Sequence, residues 1–211
     1  EARDTERGIV LNNIGFLYYQ MGDAGNAYRY INNSLEVSGK AKNFTGEMVN
    51  IINIGLLATQ EGRGDRPVAS TDVAISLQER GISLIEKEKR GEAYLPYLKN
   101  NIGLLHLKAG VSGQWPGVSK QSRDLESLVK NSLNLISQDR DHLKKATAEF
   151  SEGLNALGNK KDLWLEAVLE LNFATSLYHL GNDNDTSVHL NSSMEIADKV
   201  PFNDLKWRCL S

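Results

Sequence analysis

The sequence predicts an all-α fold, a right-handed solenoid built from antiparallel helix pairs. Three observations support this prediction: a four-residue phrase recurs, apolar residues follow each copy at helical spacing, and a glycine then follows. The phrase reads Asn-Asn-Ile-Gly at 12–15, Ile-Asn-Ile-Gly at 52–55, Asn-Asn-Ile-Gly at 100–103 and Leu-Asn-Phe-Ala at 171–174. The glycines are Gly22, Gly62, Gly110 and Gly181. Self-similarity of this kind is typical of stacked helical repeats, in which each unit buries its apolar face against its neighbours.

The first repeat is the clearest. One predicted helix face carries Leu11, Ile14, Gly15 and Tyr18, at the spacing i, i+3, i+4, i+7. A second helix carries Ala27, Ile31 and Ser34 at i, i+4, i+7. We expect Gly22 to end the first helix and Gly39 to end the second, because glycine readily adopts the left-handed conformation of a helix C-terminal cap.

The later repeats are longer and less regular. Successive copies of the small residue in the phrase are 40, 48 and 71 residues apart, against about 34 in short helical repeats. We expect units at about 8–39, 44–90, 93–158 and 161–199, and the start of another at 202. Helical patterns occupy 72–89, 121–137 and 141–157, so the third gap hides a degenerate repeat or contains an extra helix. We therefore interpret the 211 residues as one repeat domain from a longer protein.

Composition and charge exclude some classes of partner. The formal net charge is −3, so no basic surface indicates nucleic acid. The apolar runs are shorter than the roughly 20 residues that span a bilayer, so we expect no membrane partner. The single cysteine, Cys209, cannot form an internal disulfide. It fits a reducing compartment, and we expect a cytoplasmic protein.

The residues from Leu11 to Ser34 carry a family resemblance. Their pattern, Leu-x2-Ile-Gly-x2-Tyr-x8-Ala-x3-Ile-x2-Ser, resembles the tetratricopeptide repeat. The chain departs from that repeat at Leu11, where a tryptophan is usual, and it lacks the proline that often ends the unit. The resemblance implies that first helices of successive units line a concave groove, which binds a protein or peptide partner.

The phrase also places an asparagine at one repeated position. Asn13, Asn53, Asn101 and Asn172 share it, and Asn12, Asn100 and His179 are second-rank candidates on the same faces. An amide side chain both donates and accepts, so a row of them can pair with the backbone of an extended peptide. The pattern resembles the asparagine ladders of peptide-binding tetratricopeptide proteins, such as kinesin light chains. Two alternatives stay open: the amides bridge neighbouring first helices, or they face water.

A second resemblance concerns the end of the chain. Divergent repeats followed by Pro-Phe-Asn-Asp-Leu-Lys-Trp-Arg at 201–208 are similar to the arrays that precede caspase-like CHAT protease domains. This resemblance implies a regulatory array with an attached effector domain. Its partner would then dock on the convex face or on the loops at 63–71 and 110–120.

The sequence gives no support to catalysis within the chain. His106, His142, His179 and His189 are far apart in sequence, and no HExxH, nucleophile-elbow or phosphate-loop pattern occurs. We therefore expect no catalytic residue, no metal and no cofactor. A pocket that gathered His106, His142 and a carboxylate would revive an enzymatic interpretation.

Overall fold

The architecture is helical throughout the part of the chain that the structure describes. The structure is a computed structural model that describes residues 2–59, 69–112, 125–158 and 162–199, with side chains described outside 112–138. The α-helices in these residues are α1 (Ala2–Gln20), α2 (Ala24–Lys40), α3 (Phe44–Thr59), α4 (Thr71–Glu88), α5 (Leu95–Ser112), α6 (Leu125–Leu157), α7 (Leu163–Leu180) and α8 (Asp183–Lys199). A short 3-10 helix, Glu92–Tyr94, precedes α5. Helices that follow one another pack together, so the prediction of an all-α, repeat-like array is confirmed.

The chain forms two compact units. The first is Glu1–Leu105, which holds α1 to α4 and most of α5; the second is His106–Ser211, which holds α6, α7 and α8. The hairpins α1/α2, α3/α4 and α7/α8 lie where the sequence places three of its repeats. The predicted start of another repeat at 202 lies outside the described residues.

Small residues let the helices of the first hairpin approach closely. Gly8 faces Ser34, and Gly15 faces Ala27 and Ile31, so the two helices run antiparallel. A Cβ atom on Gly15 would lie only 2.5 Å from Ile31 Cγ1, which is closer than carbon atoms can pack. Gly15 in the repeated phrase is therefore a packing residue, and its absent side chain sets the distance between the helices.

A hydroxyl-to-carbonyl hydrogen bond ties the same two helices together, and it recurs in the second unit. Ser34 Oγ donates to Gly8 O at 2.7 Å within the first hairpin. Ser193 Oγ donates to Ala167 O at 2.8 Å between α8 and α7. Both bonds span 26 residues, and the two pairs stand 159 residues apart, as Asn13 and Asn172 do. The first and last predicted repeats therefore share one internal geometry.

The helix end predicted at Gly22 is confirmed, and Gly181 ends α7 in the same way. Gly22 and Gly181 follow α1 and α7 with φ of 77° and 78°, the left-handed region that favours glycine. The end predicted at Gly39 is wrong: α2 continues to Lys40, and Lys42 takes the left-handed conformation instead. Gly62 lies outside the described residues.

The loop predicted to begin at Gly110 starts later in the chain, because α5 continues to Ser112. Gly110 is buried inside α5, where a Cβ would lie 2.9 Å from Leu143 Cγ of α6. This glycine allows two helices to pack closely, as Gly15 does. Sequence patterns cannot distinguish a glycine that ends a helix from a glycine that lets two helices pack closely, because both follow a run of apolar residues.

The described residues of the helical patterns at 121–137 and 141–157 belong to one helix. α6 runs without a break from Leu125 to Leu157. The polar residues between the two patterns, 138–140, include neither glycine nor proline, so nothing in them stops a helix.

The larger apolar cluster of the first unit joins four of its helices. It contains Ala27, Ile31, Leu35, Phe44, Met48, Ile51, Ile54, Leu57, Ile85 and Leu98. These residues come from α2, α3, α4 and α5, so α3 is packed between neighbours. Among the described helices, none combines the length and the apolar character needed to cross a bilayer.

The repeat provides a matched pair for testing this packing. Leu17 and Leu57 occupy equivalent positions, but Leu57 is buried in the core cluster and Leu17 is exposed. We expect Leu57→Ala to lower the free energy of unfolding by about 2–5 kcal/mol, because it removes buried methyl groups and leaves a cavity. Leu17→Ala should lower it by less than about 1 kcal/mol. Urea unfolding followed by circular dichroism measures both, and equal losses would contradict the fold.

A second prediction concerns the start of α2. Asp23 caps this helix, and hydrogen bonds from the backbone N–H and the side-chain amide of Asn26 lower the pKa of Asp23 below its usual 3.8. Because the folded pKa is depressed, the stabilisation is present above the unfolded value and is lost as pH falls through the folded pKa.

We therefore expect the wild type to lose stability relative to Asp23→Asn below about pH 4, since asparagine also caps a helix but does not titrate. Melting temperatures of both proteins between pH 7 and pH 2.5 measure this difference. A difference that stays constant over the whole range would show that the carboxylate contributes nothing.

Candidate functional site

The four predicted ladder asparagines differ in exposure. Asn13 is exposed, Asn53 is half-buried, and Asn101 and Asn172 are buried. Asn172 lies on α7 in the second unit, and the other three lie in the first. The equivalent sequence position therefore does not give equivalent access to a ligand.

Asn101 joins three helices. Its Nδ2 donates to Ile52 O of α3 at 2.9 Å and to Gln78 Oε1 of α4 at 3.2 Å. Gln78 in turn donates from Nε2 to Ile51 O at 2.7 Å. Gly55 makes room for this group, because a Cβ there would lie 2.7 Å from Asn101 Nδ2. Asn101 thus acts as a bridge between neighbouring first helices, the first of the two alternatives to ligand binding.

Asn53 makes the corresponding bridge one repeat earlier. Its Nδ2 donates to Asn12 Oδ1 at 3.0 Å, which links α3 to α1. Asn12 and Ile52 occupy equivalent positions, so each asparagine reaches back to the same place on the preceding first helix. Within the first unit the amides form a ladder between helices.

The bridge between Asn12 and Asn53 still leaves polar groups available. Asn12 Nδ2 and Asn53 Oδ1 have no hydrogen-bond partner among the described residues. Exchanging the oxygen and nitrogen of both amides would again leave one donor and one acceptor free. We call Asn12 and Asn53 the amide pair; it offers one unused amide nitrogen as a donor and one unused amide oxygen as an acceptor.

The remaining candidates lie elsewhere. Asn100 is buried on α5, and Asn172 is buried on α7. His179 is half-buried in the second unit, with its ring 5.6 Å from that of Tyr178. Binding of a ligand by Asn13, Asn101, Asn172, Asn100 or His179 stays a prediction.

An exposed apolar pair flanks the amide pair. Phe16 on α1 and Leu56 on α3 occupy equivalent repeat positions, and their exposed fractions are 50% and 39%. The neighbouring residue on α3, Leu57, is buried, so α3 is covered on one face and open on the next. We call Phe16 and Leu56 the apolar pair.

A pocket lies on the other side of the amide pair, between α1, α2 and α3. Its volume is about 330 Å³, within the range of small-ligand sites. It is lined by Thr5, Gly8, Ile9, Asn12, Ser34, Ser38, Asn43, Thr45, Gly46, Val49 and Asn50. None of these side chains carries a charge, so the pocket suits an uncharged group.

Asn50 places a buried amide oxygen without a hydrogen-bond partner in the wall of the pocket. Its Nδ2 donates to Gly46 O at 2.7 Å and to Ser34 Oγ at 3.0 Å, while its Oδ1 has no partner. The carbonyl of Gly46 can only accept, so the nitrogen must face it and the amide cannot be reversed. A buried acceptor without a donor costs about 1–3 kcal/mol, and a ligand donor could offset this penalty.

The sequence interpretation missed this pocket. Asn50 interrupts the apolar run Met-Val-Asn-Ile-Ile at 48–52, and a buried polar residue in such a run was the available signal. The hydroxyl groups of Ser34 and Ser38 come from a different helix, so sequence spacing alone could not place them beside Asn50.

Two of the four histidines meet. His106 Nδ1 lies 3.0 Å from His142 Nδ1 across α5 and α6, so one ring donates and the other accepts. Within the residues whose side chains are described, no group of three histidine, cysteine or acidic residues is placed to hold a metal ion. The loops proposed for regulatory docking, 63–71 and 110–120, lie largely outside the described residues. Docking through them stays a prediction.

Comparisons with known proteins give no assignment. No protein-family model matches the chain, and no curated protein is significantly similar to it. The tetratricopeptide and CHAT resemblances therefore depend on the quoted residues alone.

Asn13 and Asn101 occupy equivalent repeat positions and therefore allow a direct test of the bridging role. Asn101→Ala removes the buried donor from Ile52 O and Gln78 Oε1, and should lower the free energy of unfolding by about 1–3 kcal/mol. Asn13→Ala, at the equivalent but exposed position, should change it by less than about 0.5 kcal/mol. Thermal and urea unfolding measure both variants. If Asn13→Ala proves as destabilising as Asn101→Ala, the bridging role assigned to Asn101 is wrong.

Proposed function

We propose that the chain is a tetratricopeptide-like array that binds an extended segment of a protein or peptide across α1 and α3. The observation that carries the proposal is the continuous strip formed by the pocket, the amide pair and the apolar pair. We call these three features the α1/α3 strip. Its parts follow one another along the helices, with Ile9 at the pocket, Asn12 in the middle and Phe16 at the far end.

The size of the strip sets the length of the segment. Ile9 and Phe16 are seven residues apart, which is about 10 Å along a helix. An extended chain advances about 3.3 Å per residue. The strip therefore contacts about three to five residues of a ligand, which is typical of short-motif recognition.

Each part of the strip contributes different chemistry. The amide pair can accept from one backbone N–H and donate to one backbone C=O, which fixes direction and register for any sequence. Two such bonds supply about 1–3 kcal/mol together. The apolar pair and the uncharged pocket must therefore select side chains and provide most of the affinity.

Selection from a random peptide library displayed on phage tests the proposal. We expect the wild-type chain to enrich peptides that bind with micromolar affinity. A Phe16→Ala, Leu56→Ala variant should bind those peptides at least about tenfold more weakly, because it removes about 1.4 kcal/mol or more of apolar contact. Isothermal titration calorimetry with synthetic peptides provides the measurement.

The same helix supplies a matched control. Val10→Ala, Leu17→Ala also removes two exposed apolar side chains from the first unit, but from a different face of α1. Binding by this control should stay within about twofold of the wild type, a change below about 0.5 kcal/mol. Equal losses in both variants, or a library that yields no binder, would count against the strip.

The amide pair has its own test. We expect Asn12→Ala, Asn53→Ala to weaken the selected peptides about tenfold, since two backbone hydrogen bonds are lost. Asn13→Ala should leave affinity unchanged because Asn13 takes no part in the amide pair. If only Asn13→Ala weakens binding, the ladder prediction from the sequence is favoured over the strip proposed here.

A further inference from the structure

α1 exposes a second apolar face, distinct from the α1/α3 strip. Val10 and Leu17 are 56% and 57% exposed, and they are seven residues apart on one side of the helix. Asn13 lies between them and is also exposed. We call Val10, Asn13 and Leu17 the end face of α1.

The repeat shows that this face is buried wherever it recurs. The residues equivalent to Val10 are Asn50, Leu98 and Leu169, and each is at most 2% exposed. The residues equivalent to Leu17 are Leu57, Leu105 and Ser176, and each is at most 3% exposed. By contrast, the equivalents of Phe16 include Leu56, which stays exposed although α3 is packed between neighbours. The two apolar faces of α1 therefore have different roles.

On each of the three helices α3, α5 and α7, a residue of the helix that precedes it in the chain contacts this face. Ser34 of α2 contacts Asn50 of α3. Ala74 of α4 packs in one cluster with Leu105 of α5. Thr147 of α6 donates to Ser176 of α7 at 3.1 Å.

We propose that the end face is the docking surface for an α-helical hairpin that precedes α1 in the same polypeptide. The hairpin would pack on α1 as α3/α4 packs on α5. The closest template is α5, because Leu98, Asn101 and Leu105 repeat the pattern of an aliphatic residue, asparagine and leucine at i, i+3, i+7.

The template defines what the hairpin must offer. Small residues face the aliphatic positions of α5: Gly81 lies against Leu98, and Ala74 against Leu105. An amide oxygen and a first-helix carbonyl accept from Asn101. The partner therefore has a small residue, a glutamine and a second small residue at the spacing of Ala74, Gln78 and Gly81, and Asn13 donates to it.

The size of the face favours a tethered hairpin over a second copy of the chain. Stable dimers usually bury about 800 Å² on each partner, whereas three side chains on one helix cover only a few hundred. A covalent link supplies a high effective concentration, so a small interface is sufficient.

A chimera made from the chain's own hairpin tests this inference. Residues 44–94 are placed directly before Arg7, which is the repeat equivalent of Leu95, so that α1 receives the α3/α4 hairpin in the α5 register. We expect Leu17→Ala to lower the melting temperature of the chimera by about 5 °C or more, and that of the 211-residue chain by less than about 2 °C. Backbone amides of 10–17 should exchange with deuterium at least about tenfold more slowly in the chimera.

Each other outcome would overturn the proposal. Equal Leu17→Ala shifts in the two proteins, or an added hairpin that contributes no helical circular dichroism, would show that the end face does not accept such a unit. Sedimentation of the 211-residue chain provides a separate check. A dimer that Leu17→Glu converts to a monomer would assign the face to a second copy instead.

Discussion

The fold depends on the close approach of neighbouring helices at glycines, two of which, Gly15 and Gly55, belong to the repeated phrase. Gly15 against Ile31 and Gly55 against Gln78 leave no room for a Cβ atom. This short separation brings the backbone of one helix within reach of a neighbouring polar side chain. The bonds of Ser34 to Gly8 O and of Gln78 to Ile51 O follow from it. A larger residue at either glycine would separate the helices and break the polar contacts together with the apolar packing.

The same close packing of helices explains why the exposed apolar residues of α1 fall into two groups. The first helices α3, α5 and α7 each have a face that receives the preceding helix, and α3 has another face that stays open. Comparing equivalent positions separates them, since Leu57 is buried while Leu56 is exposed on the same helix. Without the repeat, Phe16 and Leu17 would look alike, as two adjacent exposed residues. The equivalent residues of the other repeats therefore show whether an exposed residue of α1 lies on the face that another helix covers, which its own exposed fraction cannot show.

The sequence could predict the helices, the first hairpin and the cap at Gly22, because these depend on residues close together in the chain. It could not predict which asparagine reaches water. The burial of Asn101 depends on Gln78, which belongs to another helix and to no recurring phrase. The loop was predicted to begin too early, at Gly110, for the same reason, since Leu143, against which Gly110 packs, lies 33 residues away. The meeting of His106 and His142 depends on how α6 packs and left no pattern in the sequence.

The role of an asparagine in this ladder is limited by its hydrogen-bonding capacity. Its amide has two N–H donors and one carbonyl acceptor, and a bridge to the previous helix uses part of that capacity. Where the bridge is buried, as at Asn101, the amide stabilises the array. Where the bridge is only half-buried, as at Asn53, the oxygen of Asn53 and the nitrogen of Asn12 stay unused, and the bridge itself holds both side chains in place. Two side chains that hold each other lose less rotational freedom when a ligand binds. Under the proposed function, the bond between the helices therefore holds the amide pair in position for a peptide backbone, so that Asn53 would serve both the structural bridge and the binding of a ligand.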